Sequence, residues 1–170
     1  MKVILTMAMS LDGMIADENG AEDFLPHDNW IAFVKLAKKI GNFVYGRKTY
    51  EAVLGWPPNY TEDLNDVVKI VISEDKSLDV QKGFIRVDNP KQAISYLEKN
   101  EFGEVLVAGG NTVYSSFLKE GLADEIIVDV NPVLLGCGIP VFGKDIPNLK
   151  MELLDTNSID EGIIELHYKL

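Results

Sequence analysis

The sequence predicts an α/β domain with a mainly parallel sheet, on three observations. Short apolar runs alternate along the chain with stretches of helical spacing. Several runs, among them KVILTMAM (Lys2–Met9), VVKIVI (Val67–Ile72) and VLVA (Val105–Ala108), are as apolar as strands covered on both faces. The C-terminal stretch differs: Ile164, Leu166, Tyr168 and Leu170 alternate with Glu165, His167 and Lys169. That pattern marks an antiparallel strand with one wet or interfacial face. The 170 residues are most simply one domain, 1–170, long enough for a full core.

Lys2–Met9 is the first strand; it ends in Ser10-Leu11-Asp12-Gly13, and Met14-Ile15-Ala16 resumes briefly. Asp28 is placed to cap a helix over Asn29–Ile40, whose apolar face is Ile31, Val34, Ala37 and Ile40, with Gly41 closing it. Asn42–Tyr45 is a second strand, and Gly46-Arg47-Lys48-Thr49 leads into a short helix reaching Leu54. Trp56-Pro57-Pro58-Asn59 ends that helix and begins a loop. Strands follow at Val67–Ile72 and Phe84–Val87. Asn89-Pro90 supplies an N-cap and an N1 proline for a helix Pro90–Lys99, with Gln92 at the capping-box position. Val105–Ala108 turns through Gly109-Gly110 into a helix from Asn111 to Leu118, and Glu125–Val130 is the next strand. Met151–Ser158 and Ile163–Leu170 form a terminal antiparallel hairpin around Asp160-Glu161-Gly162.

Composition narrows the function classes. A hydrophobic share of 46% and a charged share of 25% are ordinary for a globular protein. The net charge of −11, from 16 basic and 27 acidic residues, argues against nucleic acid or an anionic membrane as partner. The single cysteine, Cys137, excludes an internal disulfide and a cysteine-cluster metal site, and His27 and His167 match no zinc spacing. No metal is expected. No apolar run approaches the ~20 residues of a spanning helix, and the N-terminus enters a strand without signal-peptide design. The expected location is cytoplasmic.

Ligands of parallel α/β sheets sit at the carboxyl ends of the strands. The segments after Met9, Tyr45, Ile72, Ala108 and Val130 therefore surround one crevice. In VLVAGGNTVY (Val105–Tyr114), a strand turning through two glycines into a helix aims backbone N–H groups at one point, suited to a diphosphate or to nothing more than a tight turn. Gly46-Arg47-Lys48-Thr49 likewise offers amides, a hydroxyl and two cations to a phosphate, or is a plain helix start. Gly41–Thr49 approaches the nucleotide-triphosphatase phosphate loop, but Arg47 stands where its lysine belongs and Phe43-Val44-Tyr45 is strand; that reading is rejected. Asp12-Gly13 is a turn or an acid at the crevice. Asp28 is a helix cap, or a carboxyl of raised pKa that orients or protonates a heteroaromatic ring. Gly136-Cys137-Gly138 is a loop of close backbone approach, Cys137 a small filler, and His27 a surface histidine.

Taken in order, Ala8-x-Ser10-Leu11-Asp12-Gly13-x-Ile15-Ala16, then Gly46-Arg47-Lys48-Thr49-Tyr50-Glu51, Ala108-Gly109-Gly110, and Pro132-x-x-x-Gly136-x-Gly138-x-Pro140-x-Phe142 resemble the dihydrofolate reductase-like superfamily. Within it the chain is most similar to the reductase domain of riboflavin biosynthesis, the C-terminal half of bifunctional deaminase–reductases, and to its short stand-alone relatives. The resemblance spans essentially the whole chain. It implies a three-layer α/β/α fold with an eight-stranded sheet, a homodimer, and an NADPH-dependent reductase of a small pyrimidine or pterin. The best single expectation is 5-amino-6-(5-phosphoribosylamino)uracil reductase; the alternatives are a dihydrofolate or pterin reductase and a non-catalytic nucleotide-binding protein.

Carried over by motif, Ala8 and the Asp12–Ile15 segment, with Gly13 and Ile15, border the nicotinamide. Gly46, Arg47, Lys48 and Thr49 hold the adenosine phosphates, with Ser73 near the 2′-phosphate. Gly109, Gly110, Asn111 and Thr112 receive the diphosphate, and Asp28 falls by spacing near the pterin-orienting carboxylate. Asp12 and Asp28 are the titratable catalytic candidates, with water as another proton source. Two features depart from the family. Glu74 and Asp75 follow Ser73 where many relatives carry a basic residue. Two acids there disfavour a 2′-phosphate by roughly a kcal/mol or more, so NADH is possible beside NADPH. The zinc-binding deaminase half is absent, so the reductase acts alone or on another enzyme's product. Apolar residues on one face of the terminal strand, with Ile163 on the other, are a further reason to expect a dimer.

Overall fold

The computed structural model describes residues 1–57, 60 and 62–170; Pro58 and Asn59 of the expected loop lie outside the described residues. Ten strands and four helices are labelled in chain order. They are β1 (Lys2–Ser10), β2 (Met14–Ala16), α1 (His27–Ile40), β3 (Asn42–Gly46), α2 (Arg47–Leu54), β4 (Val68–Ile72) and β5 (Phe84–Val87). There follow α3 (Pro90–Lys99), β6 (Glu104–Val107), α4 (Asn111–Lys119), β7 (Glu125–Asn131), β8 (Ile139–Pro140), β9 (Glu152–Ser158) and β10 (Ile164–Lys169). The fold is the expected three-layer α/β/α arrangement around a mostly parallel sheet.

Eight strands form that sheet, in the order β5-β4-β3-β6-β1-β7-β10-β9. Its first six are parallel, and the β9–β10 hairpin closes one side antiparallel, with β10 against β7. The apolar runs are buried on both faces because a core packs on each side. One core joins Val3, Leu5, Met7, Val44, Val105 and Val107 to Val113 and Phe117 of α4 and Ala93 and Leu97 of α3. The other joins Ile4, Phe43, Tyr45, Val71 and Leu106 to Val34 and Ala37 of α1 and to Tyr50 of α2.

Local chemistry accounts for two of the helix ends. Gly41 closes α1 in the left-handed region at φ 83°, donating its N–H to the Ala37 carbonyl. At α3 the Gln92 N–H donates to Asn89 Oδ1 at 3.0 Å, and Gln92 Oε1 accepts from the Asp88 N–H at 2.8 Å. The reciprocal bond of the capping box thus falls one residue earlier than in its usual form.

Two expectations are corrected, and one strand was not foreseen. α1 begins at His27 with Pro26 at the N-cap, so Asp28 lies inside the first turn, where its charge complements the helix dipole without capping. Residues Ile139–Pro140 form a two-residue strand pairing with β2, too short to show a period. Ile163 is fully buried, so it offers nothing to a partner; the exposed apolar residues of the hairpin are Leu153, Leu154 and Ile164.

Candidate active site

The two glycine segments meet. The Gly46 N–H donates to the Gly109 carbonyl at 2.8 Å, so the turn after β3 leans on the turn after β6. A Cβ at Gly46 would approach Val113 Cγ2 to 2.8 Å, and one at Gly110 would approach Thr49 Oγ1 to 3.2 Å and Ile15 Cδ1 to 3.9 Å. Gly109 has φ +122°, where a side chain is strained, and a Cβ there would lie 3.1 Å from the Tyr114 hydroxyl. The Gly109–Gly110 peptide is cis. Both α2 and α4 start without a side-chain cap, at Gly46 and Gly110. Two helix N-termini with accessible backbone donors therefore open side by side, and glycine keeps the floor between them clear.

The remaining expected cofactor residues distribute around this floor. Lys48 and Thr112 are exposed on the first turns of α2 and α4. The Asn111 Nδ2 is committed elsewhere: it donates to the Pro140 carbonyl at 2.6 Å, which ties α4 to the 136–142 loop. Arg47 lies 3.7 Å from Glu51 and 3.6 Å from Asp75, so two carboxylates compete for its charge. Ser73 is buried beyond β4, and its Oγ accepts from the Asp75 N–H at 3.2 Å. Asp75 in turn takes both the hydroxyl and the N–H of Ser77, which hold its carboxyl below the usual range and keep it ionised.

Asp12 is a clamp. It accepts from the Ser10 hydroxyl at 2.6 Å, the Gly136 N–H at 2.7 Å and the Leu135 N–H at 3.2 Å. These bonds, the Ser10 hydroxyl foremost, hold its carboxyl down at about 2. An acid so committed has no proton to give at neutral pH. Its setting supports a positioning task, fixing the turn that carries Gly13 and Ile15. The Gly13 carbonyl accepts from the Val141 N–H at 2.9 Å, and a Cβ on Gly138 would clash with the Ala16 carbonyl. The motif Pro132–Phe142 thus serves to seat β2 against β8.

Beside the glycine floor runs a crevice of about 1360 Å³ between α1 and the sheet. Thr6, Ala8, Ile15, Tyr45, Thr49, Ala108, Gly109 and Gly110 line it at one end. Asp28, Asn29, Trp30, Trp56, Asp129, Asn157, Asp160, Glu165 and His167 line the rest. Asp28 is thus in the crevice, as its spacing implies. The polar face of β10 is neither simply wet nor interfacial, for Glu165 and His167 look onto this space. His167 Nε2 lies 2.8 Å from Glu125, across the strand.

Two residues that sequence reasoning missed stand out. Asn29 and Asp129 are 6% and 8% exposed, and Asn29 Nδ2 donates to Asp129 Oδ2 at 3.2 Å. Asn29 Oδ1 and Asp129 Oδ1 are buried with no hydrogen-bond partner among the described residues. Burial pushes the Asp129 carboxyl up to about 6; the Asn29 N–H opposes this and nearby Glu165 adds to it. A carboxylate inside the otherwise apolar run IIVDV (Ile126–Val130) was the available signal.

Comparison with known proteins agrees with the fold and the motifs. The family model of the RibD C-terminal domain matches residues 1–165. The uncharacterized protein YwjB of Bacillus subtilis (strain 168) is 31% identical over 172 residues, covering 98% of this chain and 97% of its own. A Shewanella sp. PV-4 protein named for riboflavin biosynthesis superposes with a TM-score of 0.79 at 27% identity, covering 99% of this chain and 98% of that one. Schistosoma mansoni dihydrofolate reductase superposes with a TM-score of 0.74 at 21% identity, covering 99% and 98%, which speaks to the fold alone. With its motifs in register over one sheet edge and the family model matching nearly end to end, this chain belongs to the RibD C-terminal domain family.

Proposed function

We propose that this protein is a reductase of the riboflavin-pathway type that passes hydride from NADPH to a small heterocyclic substrate held in the crevice. The observation that carries this reading is the glycine floor: two uncapped helix N-termini joined by the Gly46–Gly109 bond, opening beside the crevice. The residues present fit a dinucleotide. Gly109 and Gly110, with the amides of Asn111 and Thr112, would receive its diphosphate; Gly46, Arg47, Lys48 and Thr49 would hold the adenosine phosphates, with Ser73 near the 2′-phosphate. Ala8, Gly13 and Ile15 would border the nicotinamide. Bound there, the cofactor supplies the hydride. The chain's own work is to orient the ring, keep water out through the aromatic wall of Trp30 and Trp56, and place Asp28 where a proton is needed.

The family model favours the ribosylaminouracil reduction as first reading. A second, pterin or dihydrofolate reduction, is favoured by one observation: six acids, Glu22, Asp23, Asp28, Asp129, Asp160 and Glu165, line the crevice against three lysines, Lys35, Lys39 and Lys69. That much acid repels a phosphorylated substrate and welcomes a neutral or protonated ring. Purified protein is assayed with NADPH and each substrate in turn. Folate reduction depends on Asp28, so Asp28→Asn abolishes it, by about a hundredfold or more; the ribosyl reduction survives the change. NADPH left unoxidised with every substrate, yet tightly bound, would leave the non-catalytic nucleotide-binding reading. We further propose a homodimer, built along the exposed β9 edge.

A further inference from the structure

β2 stands outside the main sheet. Its ladder partner is β8 alone, with Met14 opposite Pro140 and Ala16 opposite Ile139. Just before it, the Leu11 N–H donates to the Val133 carbonyl at 2.8 Å, and the Asp12 carboxylate takes the Leu135 and Gly136 N–H groups. The Gly13 carbonyl accepts from the Val141 N–H. The turn that carries Gly13 and Ile15 is thus tied along its length to the segment 133–143. The far end of that segment is tied in turn to α4. Asn111 Nδ2 holds the Pro140 carbonyl at 2.6 Å, and the Gly143 N–H donates to Ser115 Oγ at 2.7 Å. The Ser115 hydroxyl donates its own hydrogen to the Asn111 carbonyl at 2.7 Å. Glycine at 143 permits this approach, since a Cβ there would lie 3.1 Å from Ser115 Oγ. Ser115 is buried and does not line the crevice.

These bonds close into a ring. α4 begins at the glycine floor, and Ile15 Cδ1 stands 3.9 Å from where a Cβ on Gly110 would be. From Gly110 the connection runs through the first turns of α4, along the segment 133–143 into β2, and back over Gly110 by Ile15. Members of such a contiguous hydrogen-bonded network fix one another's positions, so that releasing one loosens the rest. We propose that Asn111 and Ser115 are positioning residues, which act through the segment 133–143 to fix Ile15 over the glycine floor. This rests on the reading of the floor as a dinucleotide site, with the diphosphate on α4 and the nicotinamide beside Gly13 and Ile15. The two ends of the cofactor are then gripped by one connected unit, and side chains on the diphosphate helix decide how well the nicotinamide end is held. Asp12 does the same from the opposite end of the segment.

The test compares NADPH with 2′-phospho-ADP-ribose, which lacks the nicotinamide, by titration calorimetry on the full-length protein. Ser115→Ala lowers NADPH affinity about five- to tenfold, the worth of one or two hydrogen bonds, and leaves 2′-phospho-ADP-ribose within about twofold. Asn111→Ala and Asp12→Asn show the same split. Combining Ser115→Ala with Asp12→Asn adds little to the larger single loss, because both release the same segment. A loss shared equally by the two ligands, or losses that multiply in the double variant, overturns the proposal. Hydrogen exchange reads the same ring without a cofactor. In Ser115→Ala the amides of residues 11–16 gain at least about fivefold in exchange rate relative to those of β6. Rates that rise together report only a global loss of stability and overturn the proposal. NADPH left unbound by the wild type, with exchange behaving as stated, overturns the dinucleotide reading and leaves the positioning of Ile15 standing.

Discussion

Asp129 shows what burying a single carboxyl costs. An ordinary aspartate titrates near 3.8, and burial moves this one up to about 6. A carboxyl whose folded value is raised contributes most at pH below its unfolded value, and that contribution is lost as pH rises through the folded one. The gap corresponds to on the order of 2–3 kcal/mol. Burial sets the sign; of the groups facing the carboxyl, Asn29 opposes the rise with one hydrogen bond and Glu165 on β10 adds to it, while Asp28 shares the crevice wall and His167 is engaged with Glu125. β1 contributes only the uncharged Thr6, Met7 and Ala8 to this wall. Asp129→Asn therefore melts higher than wild type at about pH 8, and the difference shrinks toward about pH 5. Melting curves across that range check it; a difference independent of pH would mean that the carboxyl is not penalised by burial. Asp12 is the opposite case, an exposed carboxylate fully hydrogen-bonded and held down at about 2. The sequence could not separate these two acids. Each is one letter in an apolar neighbourhood, and only the chain packed against it decides which becomes a clamp and which keeps a spare oxygen.

Among the elements, all but the shortest strand were legible. β1, α3 and α4 follow from an apolar run, from helical spacing and, for α3, from its cap, because each buries one or two faces over several residues, and β10 follows from its alternation. β8 has two residues, Ile139 and Pro140, and exists only because β2 lies beside it. The turns at the glycine floor carry the element-scale predictions. Gly110 has ordinary extended backbone, so Gly110→Ala folds, but its methyl would sit 3.2 Å from Thr49 Oγ1 and crowd the floor. NADPH affinity falls about tenfold while the melting temperature moves by no more than a few degrees. Gly109→Ala acts on the fold instead, since φ +122° suits no side chain; it destabilises by about 1–3 kcal/mol. Calorimetric melting with cofactor titration separates the two effects. After β4 the turn carries Asp75, ionised and 3.6 Å from Arg47, beside the expected place of a 2′-phosphate. Asp75→Asn relieves that repulsion and frees Arg47, so the ratio of NADPH to NADH affinity rises about five- to tenfold. An unchanged ratio would place the 2′-phosphate elsewhere.

For the molecule as a whole, the sheet divides its labour from one edge to the other. The β3–β6 region carries the glycine floor, the β7–β10 region the polar wall of the crevice, and β9 is the free edge beyond it. Every residue of β9 is exposed, including Leu153 at 52% and Leu154 at 45%, with Met151 at 47% just before the strand. A long edge strand with unpaired backbone groups and apolar side chains is a hazard unless something covers it, and a second copy of the chain is the simplest cover. Each copy carries a charge of −11, so apolar contact must overcome repulsion between like charges, and added salt favours association by screening it. Size-exclusion chromatography with light scattering therefore gives about twice 18.9 kDa, more completely at higher salt. The double change Leu153→Lys and Leu154→Lys, a blunting that natural edge strands use, gives the monomer. Asn157 of β9 and neighbouring Asp160 line the crevice, whereas the glycine floor lies across the sheet. The monomeric variant is thus expected to bind NADPH within about twofold of wild type while its KM for the heterocycle rises several-fold. A wild-type mass of 18.9 kDa at all salt concentrations would remove β9 as an interface and leave its leucines unexplained.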